Sequence, residues 1–322
     1  MKVFIYEKYG SPEVLQLKEL EKPTPKDDEV LVKVHAAAVN PLDWHFMRGT
    51  PYFMRLMVGF LKPKNKFLGV DMAGTVEAVG RHATQFKVGD EVFGDISPGA
   101  FAEYTCSAEK LLTHKPADIT FKEAAATPVA ALTALQGLRD AGELKPGQKV
   151  LINGASGGVG TYAVQIAKAL GAEVTAVCST RNVEIVRSIG ADRVIDYTQE
   201  DFTQSNELYD LILDNAASRT IAEYMQVLKP GGRCVLVGFS MSLMVKVGIF
   251  GRLISKRYGK TITMMSAKAE QDDLLFFAQL FEKGQLSAVI DRCYPLAELP
   301  QAIAYLEEGH AQGKVVISVL EA

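Results

Sequence analysis

Disulfide and metal-knuckle signatures are missing from this chain: its four cysteines, Cys106, Cys178, Cys234 and Cys293, lie 72, 56 and 59 residues apart. No pair has CxxC spacing, and thiols so scattered suit a reducing compartment. An excess of either charge is missing too, with 35 Lys plus Arg against 38 Asp plus Glu and a net charge of −3. Such a balance offers no global field for gathering nucleic acid. Long apolar runs are also absent. Spanning a bilayer takes roughly 18 to 20 apolar residues, whereas Arg55 interrupts 53–61, and Lys246 and Arg252 interrupt 243–254. The first ten residues contain neither a signal-type apolar region nor an Arg-rich transit pattern. The expectation is a cytoplasmic protein with no nucleic-acid partner and no integral membrane segment. What is present is ordinary globular composition, 48% hydrophobic and 23% charged over 322 residues, a length that suits two domains or one large α/β domain.

Hydrophobic periodicity divides the chain. Up to about residue 120, short alternating runs (Val3/Ile5, Leu15/Leu17, Val30/Val32/Val34, Thr75 to Val79, Glu91 to Phe93, Phe101 to Thr105) are separated by Gly and Pro turns, which predicts a β-rich, barrel-like module. From about residue 123 the sequence turns helical and then alternates. Strands are expected at 150–153, 173–178, 192–196, 209–214, 233–238 and about 261–266, with helices between them, one of them at 159–170. Six strands alternating with helices predict a doubly wound parallel sheet. The last stretch, too short to fold alone, is expected to return to the first module. The expected partition is 1–122, 123–265 and 266–322.

The run Val150-Leu151-Ile152-Asn153-Gly154-Ala155-Ser156-Gly157-Gly158-Val159-Gly160 reads as strand, glycine turn and helix start. Small residues let the backbone approach a pyrophosphate, and the first N–H groups of the helix favour its charge. At the head of a βαβ series this pattern predicts dinucleotide binding. An Asp or Glu about twenty residues on would hold the ribose 2′-hydroxyl of NAD, but the second strand ends Val177-Cys178-Ser179-Thr180-Arg181. Hydroxyls and a guanidinium there suit a 2′-phosphate, so NADPH is expected, clamped by Ser179 and Arg181 with Tyr197 as a third contact. An exposed helix-start arginine is the alternative reading of Arg181.

Taken together, Ala37-Ala38-Val39-Asn40-Pro41-Leu42-Asp43, Leu68-Gly69-Val70-Asp71-Met72-Ala73-Gly74, Gly89-Asp90-Glu91-Val92, the glycine turn and Gly313-Lys314-Val315-Val316 resemble the medium-chain dehydrogenase/reductase superfamily, in its zinc-free quinone oxidoreductase-like branch. The resemblance covers essentially the whole chain. It implies a GroES-like catalytic domain joined to a Rossmann domain, an active site in the cleft between them, and possible homodimerisation through the last Rossmann strand. For the cofactor it implies Thr127 and Thr133 near the nicotinamide, the turn residues Ser156, Gly157, Gly158, Val159 and Gly160, then Asn215, Gly238, Phe239 and Lys314.

Zinc alcohol dehydrogenases of this superfamily carry a Cys ligand where this chain has Asn40 and a His ligand where it has Val70. Amide and isopropyl groups do not replace thiolate and imidazole on zinc, so no metal is expected. Without a Lewis acid to take an alcohol's proton, the implied reaction is hydride transfer from NADPH to a small hydrophobic quinone or enone, with donors stabilising the enolate oxygen. Asn40 could be such a donor, or a residue capping the turn before Pro41. Asp43 could orient a neighbouring group or the nicotinamide ribose, or cap a helix, and Tyr52 could give a proton or only pack. Residues 52–61 and 239–250, the latter with Met241, Leu243, Met244 and Ile249, read as substrate-pocket walls, with helix packing or a subunit interface as alternatives. For 52–66, rich in Lys and Arg, membrane contact is a further reading. A non-catalytic NADPH-binding protein and an alcohol/aldehyde dehydrogenase are the rival functions.

Overall fold

The computed structural model describes residues 1–238 and 241–320. The chain forms two compact units. Met1–Val129, Ala269–Lys283 and the stretch from Ala288 onward make the first; Ala130–Lys268 and Gly284–Ser287 make the second. The first unit ends at Val129 rather than at residue 122. Val129 N–H donates to a carboxylate of that unit, Asp71, at 2.9 Å.

In the first unit, strands β1 (Lys2–Ile5) and β2 (Gln16–Glu19) form an antiparallel hairpin. A second sheet combines β3 (Glu29–Val39), β4 (Asp71–Val79), β5 (Glu91–Asp95), β6 (Tyr104–Ala108) and β7 (Leu112–His114) with two late strands, β14 (Ile290–Pro295) and β15 (Lys314–Ser318). Its order is β14-β15-β3-β4-β5-β7, with β6 also on β3. Helix α1 (Pro41–Arg48) follows β3 and ends on Gly49 in the left-handed region. After it come α2 (Arg55–Val58) and α3 (Phe121–Ala125), and α4 (Pro128–Gln136) runs from the end of this unit into the second. Alternating residues of β3 and β4, including Val30, Val32, Val34, Met72 and Val76, line one core with Leu299, Ile303, Val315 and Ile317. The apolar face of the C-terminal return thus finds its cover there.

The second unit is a parallel sheet of β8 (Lys149–Asn153), β9 (Glu173–Cys178), β10 (Arg193–Asp196), β11 (Tyr209–Asp214), β12 (Leu228–Leu236) and β13 (Thr261–Met264). The spatial order β10-β9-β8-β11-β12-β13 is the doubly wound arrangement, with its reversal point between β8 and β11. The intervening helices are α5 (Gly158–Ala169), α6 (Val183–Ser188), α7 (Ile221–Gln226) and α8 (Met241–Tyr258); α9 (Gln271–Glu282) and α10 (Leu299–Glu307) belong to the first unit. The central strands are uninterrupted apolar runs because both faces are covered; Val150, Leu151, Ile152, Ile212 and Leu213 are fully buried. Among the described residues no helix is long and apolar enough to cross a membrane.

Candidate active site

Four strand ends of the first unit meet at a buried charge cluster. The register of β15 on β3 sets Val315 against Val39, so Lys314 arrives beside Asn40, the residue that starts α1. The register of β4 sets Asp71 against both Ala38 of β3 and Asp95 of β5. Lys314 Nζ donates to Asn40 Oδ1 at 2.6 Å and to Asp71 Oδ2 at 3.2 Å. Asn40 Nδ2 donates to Asp71 Oδ2 at 2.9 Å. Lys314, Asn40 and Asp71 are all buried, Asp71 completely.

Asp43 closes the cluster from below. One carboxylate oxygen accepts from Asn40 N–H at 2.8 Å and the other from Gly69 N–H at 3.0 Å. The acid therefore caps α1 and also ties it to the residue two before Asp71. Burial pushes the Asp43 carboxyl up to about 7, against the pull of those two N–H groups. Burial also raises Asp71, opposed chiefly by the Lys314 ammonium. Asp95, only partly buried, is pushed up to about 7 by burial and by Asp71.

Asp95 yields a stability prediction. Its folded-state value is raised, so the folded protein retains a proton that the unfolded chain releases near 4, and stability falls as pH rises from about 4 to about 7. Asp95→Asn removes that loss. The variant's stability advantage is expected to be absent at pH 4 and to grow to about 1–2 kcal/mol at pH 8, discounted for partial exposure. Thermal melts read by Trp44, the single tryptophan and a residue of α1, check this.

Of the three expected catalytic residues, the structure brings Asn40 and Asp43 together and leaves Tyr52 apart. The Tyr52 ring is exposed and lies under Arg55, 4.9 Å from the guanidinium carbon. Asn40 is the N-cap residue of α1, and its side chain is engaged at both ends, by Lys314 and by Asp71. The ammonium of Lys314, expected at the cofactor, is bonded within the first unit. Thr127 is buried there and donates to Glu123 O at 2.8 Å. Asp71 and Asp95 escaped the sequence reading. A carboxylate within the apolar run Leu68–Ala73 was the available signal, since such a charge requires a partner. Of the expected pocket walls, Leu56, Phe60, Leu61, Ile249 and Phe250 face solvent, while Leu243 is buried.

The second unit carries the glycine turn at the reversal point of its sheet. Gly154 follows β8 with φ +75°, a left-handed conformation that glycine adopts without strain. Gly157 caps α5 in extended conformation, leaving the first-turn N–H groups of the helix available. Gly160 packs the helix onto the turn: a Cβ there would lie 2.1 Å from Gly154 O and 2.6 Å from Ala155 Cα. Val159 is half-buried in the same turn.

Around that turn, Asn182 Nδ2 donates to Ser156 Oγ at 2.8 Å and to Ser179 Oγ at 3.2 Å, tying the two loops together. Arg181 is exposed beside them, and Tyr197, also exposed, donates its N–H to Cys178 O at 3.0 Å. Asp214, at the end of β11, accepts from Asn153 Nδ2 at 2.8 Å and Tyr224 Oη at 2.6 Å. It thereby fixes the loop that presents Asn215, whose Nδ2 donates to Asn153 O at 3.1 Å. Gly238 N–H donates to Asp214 O at 2.9 Å. The oxygens Asn182 Oδ1 and Asn215 Oδ1 are buried with no partner among the described residues. A glycine cradle, a free helix start and two unsatisfied acceptors fit a dinucleotide. Thr133, half-buried, is in the same unit; Phe239 lies outside the described residues.

Comparison with known proteins places this architecture. Two family profiles match, the alcohol dehydrogenase GroES-like domain over residues 26–117 and the zinc-binding dehydrogenase over residues 189–317. The mitochondrial NAD(P)H oxidoreductase RTN4IP1 of Mus musculus is 34% identical over 360 residues, covering 99% of this chain and 89% of that protein. The chain belongs to the medium-chain dehydrogenase/reductase superfamily, in its quinone oxidoreductase-like branch. Another member of this superfamily, the chloroplastic NADPH-dependent alkenal/one oxidoreductase of Arabidopsis thaliana, is 34% identical over 331 residues, 98% of this chain and 79% of that protein. The structure of the quinone oxidoreductase from Coxiella burnetii matches with a TM-score of 0.88 at 29% identity, covering 99% of both chains.

Proposed function

We propose that this NAD(P)H-dependent oxidoreductase works without zinc, takes hydride from NADPH, and passes it to a quinone or to the activated C=C of an α,β-unsaturated carbonyl. The observation that carries the reading is the Lys314 ammonium, 2.6 Å from Asn40 Oδ1 and 3.2 Å from Asp71. Zinc dehydrogenases of this superfamily hold a thiolate at the position of Asn40. A neutral amide bonded to a buried cation is a poor beginning for a zinc site, because two cations would compete for the same donors. The relatives named as quinone and alkenal/one oxidoreductases support the acceptor class.

Bound NADPH supplies the hydride; the remaining tasks fall to the chain. The turn Ser156–Gly160 and the start of α5 receive the pyrophosphate, and Ser179, Arg181 and Tyr197 select the 2′-phosphate. Asn215 Oδ1 awaits an N–H donor. In the first unit Lys314 holds positive charge where an acceptor gains electron density, a favourable use of a desolvated cation. Asn40 and Asp71 are positioning residues that hold this ammonium. Asp95, which burial and Asp71 push up to about 7, is protonated part of the time near neutrality and is suited to return a proton to the reduced product.

The test follows NADPH oxidation at fixed acceptor concentration after exhaustive chelation, with quinones, enones and simple alkanals offered in parallel. Turnover of quinones or enones unchanged by chelation, and at least about tenfold above that of alkanals, is the expected result. Activity that disappears on chelation and returns with zinc would refute the metal-free reading.

A further inference from the structure

Helix α8 has two apolar faces, of which the fold uses one. Leu243 and Val247, one turn apart, are buried against the core that includes Ile262 of β13. Val245, Ile249 and Leu253, spaced four residues apart and so aligned on one face, are 49%, 67% and 66% exposed. Phe250, 51% exposed, extends the patch. Interior packing does not account for this second stripe.

The charges on the helix itself are all of one sign. Lys246, Arg252, Lys256 and Arg257 are exposed on the same helix. Residues 224–269 contain eight Lys and Arg and no Asp or Glu, in a chain whose net charge is −3. Such a segregation favours an anionic occupant. It disfavours a second copy of the same face, because two-fold pairing would press these cations against their equivalents. An amphipathic helix with interleaved bulky apolar and basic side chains can lie in the plane of a bilayer interface, its apolar groups among the acyl-chain ends and its cations at the headgroups. We infer that the outward face of α8 docks the protein on an anionic lipid surface as a peripheral contact.

Co-sedimentation of the full-length protein with vesicles tests the inference, comparing phosphatidylcholine alone with phosphatidylcholine containing about 30% phosphatidylglycerol. Binding is expected with the anionic vesicles and not with the neutral ones. It should fall when salt rises from about 0.1 to about 1 M, as the Debye length shrinks from about 10 to about 3 Å. Two variants, Ile249→Asp with Leu253→Asp, and Lys246→Glu with Arg252→Glu, should each lower the bound fraction at least about fivefold. Both change exposed side chains, and unchanged melting midpoints show that they fold. The inference is overturned if the wild type does not bind anionic vesicles, if it binds both vesicle types alike, or if both variants bind as the wild type does. It is also overturned if light scattering finds a dimer that Ile249→Asp with Leu253→Asp splits to monomers while vesicle binding is absent, since a second copy would then own the face.

Discussion

Replacing Lys314 by methionine is expected to lower the stability of the first unit by about 3–5 kcal/mol, because it removes one partner of a buried ion pair and strands the other. Asp71 has no exposed surface, so water cannot replace the lost ammonium. Its remaining partners, Asn40 Nδ2 and Val129 N–H, are neutral donors. Methionine approximates the lysine stem in volume, which limits the cavity contribution. Adding Asp71→Asn to the same chain removes the stranded charge, and the double variant should recover more than half of the loss. The pH dependence supplies a second readout. Without its ammonium, Asp71 titrates higher in the folded state, so the penalty should be greatest at pH 8 and shrink toward pH 4 as the carboxyl takes up a proton. Urea unfolding followed by Trp44 fluorescence measures all three quantities. A single variant within about 1 kcal/mol of wild type at pH 8 would mean that the pair is not buried as described.

This pair also marks the limit of what was legible in the sequence. The central strands of the second unit were readable because β8, β9 and β11 are short, mostly apolar runs bounded by turn residues, and a buried parallel strand needs nothing more; β12 begins at Leu228, before the expected 233, because Lys229-Pro230-Gly231-Gly232 reads as a turn. The reversal point was readable for the same reason, since the glycine turn sits at the end of the first such run. In the first unit β4 begins at Asp71, before the expected Thr75, because a carboxylate and small residues weaken the strand pattern. Asn40, Asp43 and Lys314 were all singled out, but for separate tasks. What joins Lys314 to Asn40, 274 residues away in the chain, is the antiparallel register of β15 on β3, and no local pattern reports a long-range register. Asp95 left no signal either. Its meaning comes from standing opposite Asp71 across two strands.

Exchanging Arg181 for aspartate is expected to change the preference for NADPH over NADH by about a hundredfold or more, measured as the ratio of kcat/KM values. A 2′-phosphate carries roughly −1.5 to −2 charges. A guanidinium at contact distance attracts it by a few kcal/mol at an effective dielectric of about 20. Because Arg181 is exposed, solvent and salt reduce this, and about 1–2 kcal/mol is a fairer figure. An aspartate reverses the sign, so removed attraction and added repulsion together come to about 3 kcal/mol, the hundredfold stated. Hydrogen bonds from Asn182 to Ser156 and Ser179, and from Thr180 Oγ1 to Asp196 at 2.5 Å, also order this loop. Asp196 is held ionised chiefly by the Thr180 hydroxyl. The variant therefore adds a carboxylate to a neighbourhood that already has one, which strengthens the bias against a phosphate. Raising ionic strength should narrow the gap between the two enzymes, because both terms are screened. NADH kinetics provide the control. If NADH turnover holds steady while NADPH turnover falls, Arg181 reads the 2′ position; an equal loss for both cofactors would instead make it a residue of the fold, and no change with either cofactor would move recognition of the phosphate elsewhere.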